Sequence, residues 1–184
     1  MRIAGIIAEY NPFHNGHTYH LEATRKRGAT GIVAVMSPQV VQRGQFACLD
    51  KWSRAKMAVA AGVDLVLELP TPSALAPAER FAAGGIAVLD ALGCVDMLSF
   101  GSETGSLEAL EAAADAISSA ESAGRLQQEL QKGSSYPAAM SAAVTSARAR
   151  QVLATPNNLL GVCYLRALKE QGAPMWPIAI RRQG

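Results

Sequence analysis

Short runs of β-branched and aliphatic residues alternate along this chain with longer stretches of helical pattern, and that alternation admits few folds. Ile3 to Ala8 reads as a first strand, Ile32 to Met36, Leu65 to Leu69 and Met97 to Phe100 as three more, and Trp176 to Ile180 as a fifth. They are apolar almost throughout, as strands covered on both faces must be. The fold class is therefore α/β, an open parallel sheet with helices on both faces, plus a small helical segment. Gly16 to Lys26 should form a helix opened by an Asn15-Gly16 turn, and Asp50 is placed to cap a helix that runs to about Ala61 and stops at Gly62. Pro77 to Leu92 reads as the next crossover helix and Leu107 to Ala120 as the one after the fourth strand. The Ala-, Ser- and Gln-rich stretch from Gly124 to Arg150, broken at Gly133 and Pro137, reads as two modest helices before a last one, Asn158 to Lys169. At roughly 100 to 200 residues per domain, the 184 residues make one domain, 1–184, with a helical insertion near 124–150.

Composition narrows the classes further. With 49% apolar and 17% charged residues the chain is not disordered. Seventeen Lys and Arg against fifteen Asp and Glu leave +2, short of the basic balance of a nonspecific polynucleotide binder. Cys48, Cys94 and Cys163 are far apart, lack any CxxC or Cys/His spacing for zinc, and read as reduced core thiols. The opening residues hold a six-residue apolar run before Glu9, whereas a signal peptide needs roughly 7 to 15 and a membrane helix about 20. The expectation is a cytoplasmic protein with no membrane segment.

The most informative stretch, Glu9-Tyr10-Asn11-Pro12-Phe13-His14-Asn15-Gly16-His17, joins the first strand to the first helix at the carboxyl edge of the sheet, where open α/β sheets bind ligands. His14 and His17 can both stand beside the positive end of that helix, while Gly16 lets a ligand approach the backbone. Such a pocket suits a nucleoside triphosphate, and imidazole donors there stabilise charge developing on its phosphates during adenylyl transfer. The plainer reading is a tight Asn-Gly turn that happens to carry two histidines. No P-loop occurs and no Gly-x-Gly-x-x-Gly follows the first strand, which disfavours the two commonest alternative nucleotide sites.

The His-x-Gly-His core resembles the signature of HIGH-type nucleotidyltransferases, whose Rossmann-like parallel sheet binds ATP and releases pyrophosphate. The longer stretch from Gly5 to His17 is similar to the opening of the bacterial tRNA(Met) cytidine acetate ligase family. Six later stretches resemble the same family in order: Val41-Gln42-Arg43-Gly44, Asp50 to Ala55, Asp64 to Pro70, Phe100-Gly101-Ser102-Glu103, Pro156 to Gly161, and Arg181-Arg182-Gln183-Gly184. The resemblance implies an enzyme that activates acetate with ATP as acetyl-adenylate. It then passes the acetyl group to the wobble cytidine of elongator tRNA(Met), giving N4-acetylcytidine. Mg2+ is expected to compensate the triphosphate charge. By the same resemblance, the ATP-facing segment is Ile7, Ala8, Glu9, Tyr10, Asn11, Pro12, Phe13, His14, Asn15, Gly16, His17 and His20. Gly101, Ser102, Asn157 and Arg182 complete the ATP site, and His14, His17 and Arg43 act on the reacting groups. Family members run to about twice this length and carry Gly then Asn or Asp where this chain has Pro38-Gln39. Pro supplies neither a positive φ nor a backbone donor, so the loop geometry expected there changes.

Each assignment competes with a structural one. Arg43 offers a planar fork to phosphate or carboxylate, or is an exposed loop residue. Asp50, Lys51 and Arg54 orient acetate or triphosphate, or Asp50 is an N-cap and forms an (i, i+4) surface pair with Arg54. Glu103 accepts hydrogen bonds or holds a cation, or belongs to a helix-start signal before Leu107. Asn158 is the better helix cap by position, which leaves Asn157 free to read adenine or ribose. Arg182 near the terminus is open to fraying and Arg181 faces solvent. His20, three residues after His17, reads by itself as a structural or surface residue, since 14, 17 and 20 lack the further ligands a zinc site needs. Glu68 pairs with a base such as Arg54 or faces the cleft. Two other functions share these motifs: a small-molecule adenylyltransferase with a phosphorylated second substrate, and a noncatalytic nucleotide- or RNA-binding module. The sequence carries no signal for oligomeric state.

Overall fold

A computed structural model describes residues 1–183, with the backbone alone at 120–123. Five strands, β1 (Ile3–Ala8), β2 (Gly31–Met36), β3 (Leu65–Glu68), β4 (Met97–Ser102) and β5 (Trp176–Arg181), form one all-parallel sheet in the order β3-β2-β1-β4-β5. Both faces of the central strands are covered, with alternate residues serving each face. Ile32, Ala34 and Met36 of β2 join Ile6 of β1 beneath α1 (Asn15–Lys26) and α2 (Lys51–Ala60). Val33 and Val35 point the other way, into the larger core with Leu98 and Phe100 of β4. That core is roofed by α4 (Ala78–Ala91), α5 (Leu107–Ser118) and α9 (Pro156–Gln171). Gly85 of α4 permits a close approach to β1, because a Cβ there would lie 2.5 Å from Ile7 Cδ1.

The strands expected from the sequence are all present, with bounds shifted by no more than two residues. A short helix, α3 (Thr71–Ala74), was not expected. Between α5 and α9 lie three helices rather than two: α6 (Ala120–Gln131), α7 (Tyr136–Ala143) and α8 (Ala147–Leu153). Pro137 does not break a helix but sits in the first turn of α7, where its missing N–H costs nothing. Of the three cysteines only Cys163 is a core thiol; Cys48 and Cys94 are exposed. No helix among the described residues is long and apolar enough to cross a membrane. Gly184, the last residue of the Arg-Arg-Gln-Gly stretch, lies outside the described residues.

Candidate active site

The neighbours β1 and β4 pair only at Ala4 with Met97 and Gly5 with Leu98. Beyond that both strands continue toward the carboxyl edge without a common ladder, at the point from which the strand order runs outward both ways. An open α/β sheet leaves its crevice there, and a cavity of about 990 Å3 occupies the position.

The chain leaves β1 through Tyr10, whose backbone is left-handed at φ 46°. It enters α1 at His14, the extended N-cap. The two histidines cap the helix reciprocally: Gly16 N–H donates to His14 Nδ1 at 3.1 Å, and His14 N–H donates to His17 Nδ1 at 3.2 Å. A neutral imidazole that accepts at Nδ1 carries its proton on Nε2. Each ring therefore keeps one Nε2–H donor outside the capping bonds, on a residue that lines the cavity. The rings stack with centroids 3.7 Å apart, and Tyr10 and Phe13 hold His17 from the core side at 4.9 and 5.2 Å. Burial, and then the repulsion that its protonated form would meet from His14, His20 and Arg182, pushes the His17 pKa down to about 4, so the ring is neutral at pH 7. Gly16 has a local reason: a Cβ there would lie 2.9 Å from His14 Cε1 and displace the capping ring. Gly16 also lines the cavity.

His20 is partly buried beneath this pair. Its Nε2 lies 2.9 Å from Ser99 Oγ, which lies 2.6 Å from Thr24 Oγ1, and the Thr24 hydroxyl donates to the His20 carbonyl at 2.8 Å. With the Thr24 proton so committed, Ser99 donates to Thr24 and His20 Nε2–H donates to Ser99, leaving His20 Nδ1 as an acceptor. Burial, then Arg182, lowers its pKa to about 4.

Across the cavity, β4 and α9 are stitched together. The Asn158 side chain is not a cap; it is buried, and its Oδ1 accepts from Ser102 Oγ at 2.7 Å and from Thr104 N–H at 3.2 Å. Nor is Asn157 free. Its Nδ2 donates to Glu103 Oε1 at 2.7 Å, and its Oδ1 accepts from Arg182 Nη1 at 3.2 Å. Glu103 also accepts the backbone N–H groups of Asn157 and Asn158, at 3.2 and 2.8 Å. Burial works against its charge, but the hydrogen bonds from the Asn157 side chain and these backbone groups prevail and hold its carboxyl below the ordinary value. Arg182 is held rather than frayed: its N–H also donates to the Ser102 carbonyl at 3.0 Å, and its stem lies along Gly101.

The third wall comes from the loop after β2. Gln42 N–H donates to Glu9 Oε1 at 2.7 Å, and Gln42, Arg43 and Gln45 line the cavity. Arg54 does not pair with Asp50 at the surface. It is fully buried, and its guanidinium donates to the carbonyls of Leu49 at 3.1 Å, Glu9 at 2.6 Å and Ser37 at 3.1 Å, and to that of Pro38. Asp50 caps α2 through Ser53, and Glu68 pairs with Lys51, not Arg54.

The HIGH Nucleotidyl Transferase family model matches residues 1–184. The chain belongs to this family. Among its relatives, the tRNA(Met) cytidine acetate ligase of Syntrophotalea carbinolica is 49% identical over 191 residues, covering 100% of this chain and 45% of the relative. That of Acetivibrio thermocellus is 43% identical over 190 residues, covering 99% and 46%. The crystal structure of Thermotoga maritima TmcAL bound with alpha-thio ATP superposes with a TM-score of 0.93 at 38% identity, covering 100% of this chain and 47% of that one. The chain thus spans about half the length of the curated relatives it matches.

In this family member, the cavity is lined by Ile7, Ala8, Glu9, Tyr10, Asn11, Pro12, His14, Gly16, His17 and His20. Arg43, Gly101, Asn157 and Arg182 line it as well. Three expected residues fall outside: Phe13 packs on Tyr10 and His17, Asn15 is exposed in the first turn of α1, and Ser102 is buried with its hydroxyl spent on Asn158. Sequence reasoning missed the apolar wall formed by Leu75, Phe81, Tyr136, Leu160 and Tyr164, in which the buried hydroxyls of Tyr136 and Tyr164 have no hydrogen-bond partner among the described residues. Pro137 signalled the start of α7, but nothing local in the sequence signalled that this helix reaches the site.

Proposed function

We propose that residues 1–184 act as one ATP-binding, adenylate-forming domain of a cytoplasmic ligase that joins acetate to elongator tRNA(Met). The observation that carries this reading is the reciprocal capping of His14 and His17, which leaves an Nε2–H donor on each of two cavity-lining residues at the amino end of α1. In the reaction, an acetate oxygen attacks the α-phosphorus of ATP, the bond to the β-phosphate oxygen breaks, and pyrophosphate leaves with the negative charge. Donors fixed where that charge develops act on the transition state and need no proton transfer. The N4 amine of the wobble cytidine then attacks the acetyl carbonyl, AMP departs, and the amine loses a proton.

Arg182 and Asn157 are placed to hold the nucleotide, Gly101 to let it lie on the end of β4, and Arg43 to offset phosphate or carboxylate charge. Among the described residues no three His, Cys, Asp or Glu side chains converge, and both Glu103 oxygens are occupied by N–H donors. An Mg2+ ion carried by the phosphates of ATP, as Mg2+ commonly is, would offset their charge here without a dedicated set of protein ligands. Phe46 is 84% and Trp52 69% exposed on the segment that follows Arg43, a pair of faces on which unpaired bases of an RNA loop can stack.

The test is ATP/pyrophosphate exchange with and without acetate. Exchange that requires acetate is the expected result. Exchange that ignores acetate but responds to a phosphorylated small molecule would replace this reading with the adenylyltransferase one, and ATP binding without exchange would replace it with the noncatalytic one.

A further inference from the structure

The amino end of α9 is capped from another element. Thr155, its N-cap, makes no side-chain capping bond, and the N–H groups of Asn157 and Asn158 are satisfied by Glu103, which follows the last residue of β4. A carboxylate at a helix amino end is favourable in itself. Its placement beside a site for an anion is not, unless its charge serves the site in another way.

The third bond to Glu103 supplies that service. An Asn amide can turn over, exchanging its oxygen and nitrogen, and only its partners decide which way it faces. A carboxylate accepts and cannot donate, so Glu103 Oε1 selects the Asn157 nitrogen and turns Asn157 Oδ1 the other way, onto Arg182 Nη1. No other side-chain partner of the Arg182 guanidinium is recorded among the described residues. Its stem rests on Gly101, with a Cβ at that glycine coming within 3.4 Å of Arg182 Cγ. The order of contacts is thus Glu103, Asn157, Arg182, cavity.

We infer that Glu103 is the positioning residue of the nucleotide site: by fixing the face of the Asn157 amide it fixes where the Arg182 guanidinium presents its remaining N–H donors. This rests on the proposal that the cavity binds ATP. A glutamine at 103 keeps shape and length but sets an NH2 group against at least one of the three N–H donors and, able to donate as well as accept, no longer obliges the Asn157 amide to face one way.

The experiment compares the whole chain with Glu103→Gln, Asn157→Ala and the double variant, by calorimetric ATP binding in EDTA and by acetate-dependent ATP/pyrophosphate exchange. Glu103→Gln should weaken ATP binding about tenfold, with KM for ATP rising in step and kcat changing less than about threefold. Adding Glu103→Gln to Asn157→Ala should cost nothing more, within about twofold, since the two act through one path. Independent, additive losses would overturn the proposal. So would a lowered melting temperature with unchanged ATP affinity, which is what a purely structural cap predicts. A loss seen only with Mg2+ present would make Glu103 a metal ligand and overturn it too. A wild-type chain that fails to bind ATP overturns both this and the functional reading, whereas wild-type and Glu103→Gln chains that bind ATP equally overturn this alone.

Discussion

Replacing Arg54 by Ala should destabilise the chain by about 4 kcal/mol. The side chain has no exposed surface, and it serves four carbonyls from three segments: Glu9 after β1, Ser37 and Pro38 after β2, and Leu49 before α2. The bonds to Ser37 and Pro38 are fully buried, so their carbonyls lose a donor inside the protein when the guanidinium is removed. Two buried carbonyls left without a donor, at about 1–3 kcal/mol each, give the figure. Against a total of about 5–15 kcal/mol for a domain, that is a large share. Burial pushes the guanidinium pKa down while Cys48, Glu9, Asp50 and Glu68 pull it up, and an Arg begins so high that it stays charged. Arg54→Lys keeps the charge but not the fork, and should lose roughly half as much. Urea unfolding of both variants measures this, and Arg54→Ala should melt about 10 °C lower. An exposed pair with Asp50 would be worth at most about 1 kcal/mol, so a loss below that with an unchanged m-value would refute the clamp. Because Glu9 and the segment leading to Gln42 and Arg43 are held by the same group, the folded Arg54→Lys protein should also bind ATP more weakly.

His17→Ala should cut acetyl-adenylate formation roughly a hundredfold or more and ATP affinity far less; equal losses by single-turnover kinetics and calorimetry would assign His17 a ground-state role. His17 and His20 have folded pKa values near 4, below the ordinary 6.5, so the unfolded chain takes up protons first as pH falls. Their contribution to stability is complete above about pH 6.5 and is lost between there and about pH 4, and urea midpoints across that range check it; exchange activity that fell with a midpoint near 6.5 would contradict a neutral His17 donor. Pro38→Gly should not raise activity: Pro38 is buried, its carbonyl serves Arg54, and the left-handed residue of that loop is Gly44 at φ 73°. A faster exchange rate in Pro38→Gly would refute this. Binding of tRNA by residues 1–184 should be weak at near-physiological salt, because the one basic triplet, Arg25-Lys26-Arg27, lies away from the cavity: Arg25 is tied to Asp64 and the Gly62 carbonyl at the amino edge of the sheet. Submicromolar affinity in a filter-binding assay would refute it.

What could be read from the sequence divides by the distance over which residues act. The strands announce themselves because a parallel strand buried on both faces needs an apolar run, and Ile3–Ala8 and Gly31–Met36 are such runs. The His14/His17 pair is equally local, since its capping bonds span three residues or fewer. Asp50 was correct as a cap for the same reason. The errors involve partners that no local pattern encodes. Asp50 and Arg54 at (i, i+4) look like a surface pair, yet the carbonyls that Arg54 serves reach back 45 residues to Glu9. Asn158 looks like a cap until Ser102, 56 residues earlier, takes its oxygen, and Asn157 looks free until Glu103, 54 residues earlier, takes its nitrogen. In each case a side chain able to satisfy its own turn is used instead to lock one carboxyl-edge loop to another. A pocket built between loops needs such locks, because loops have no ladder of their own to hold them in register. The residues that local reasoning misassigned are therefore those that hold the cavity walls together, while those it found, His14 and His17, are fixed by the helix they cap.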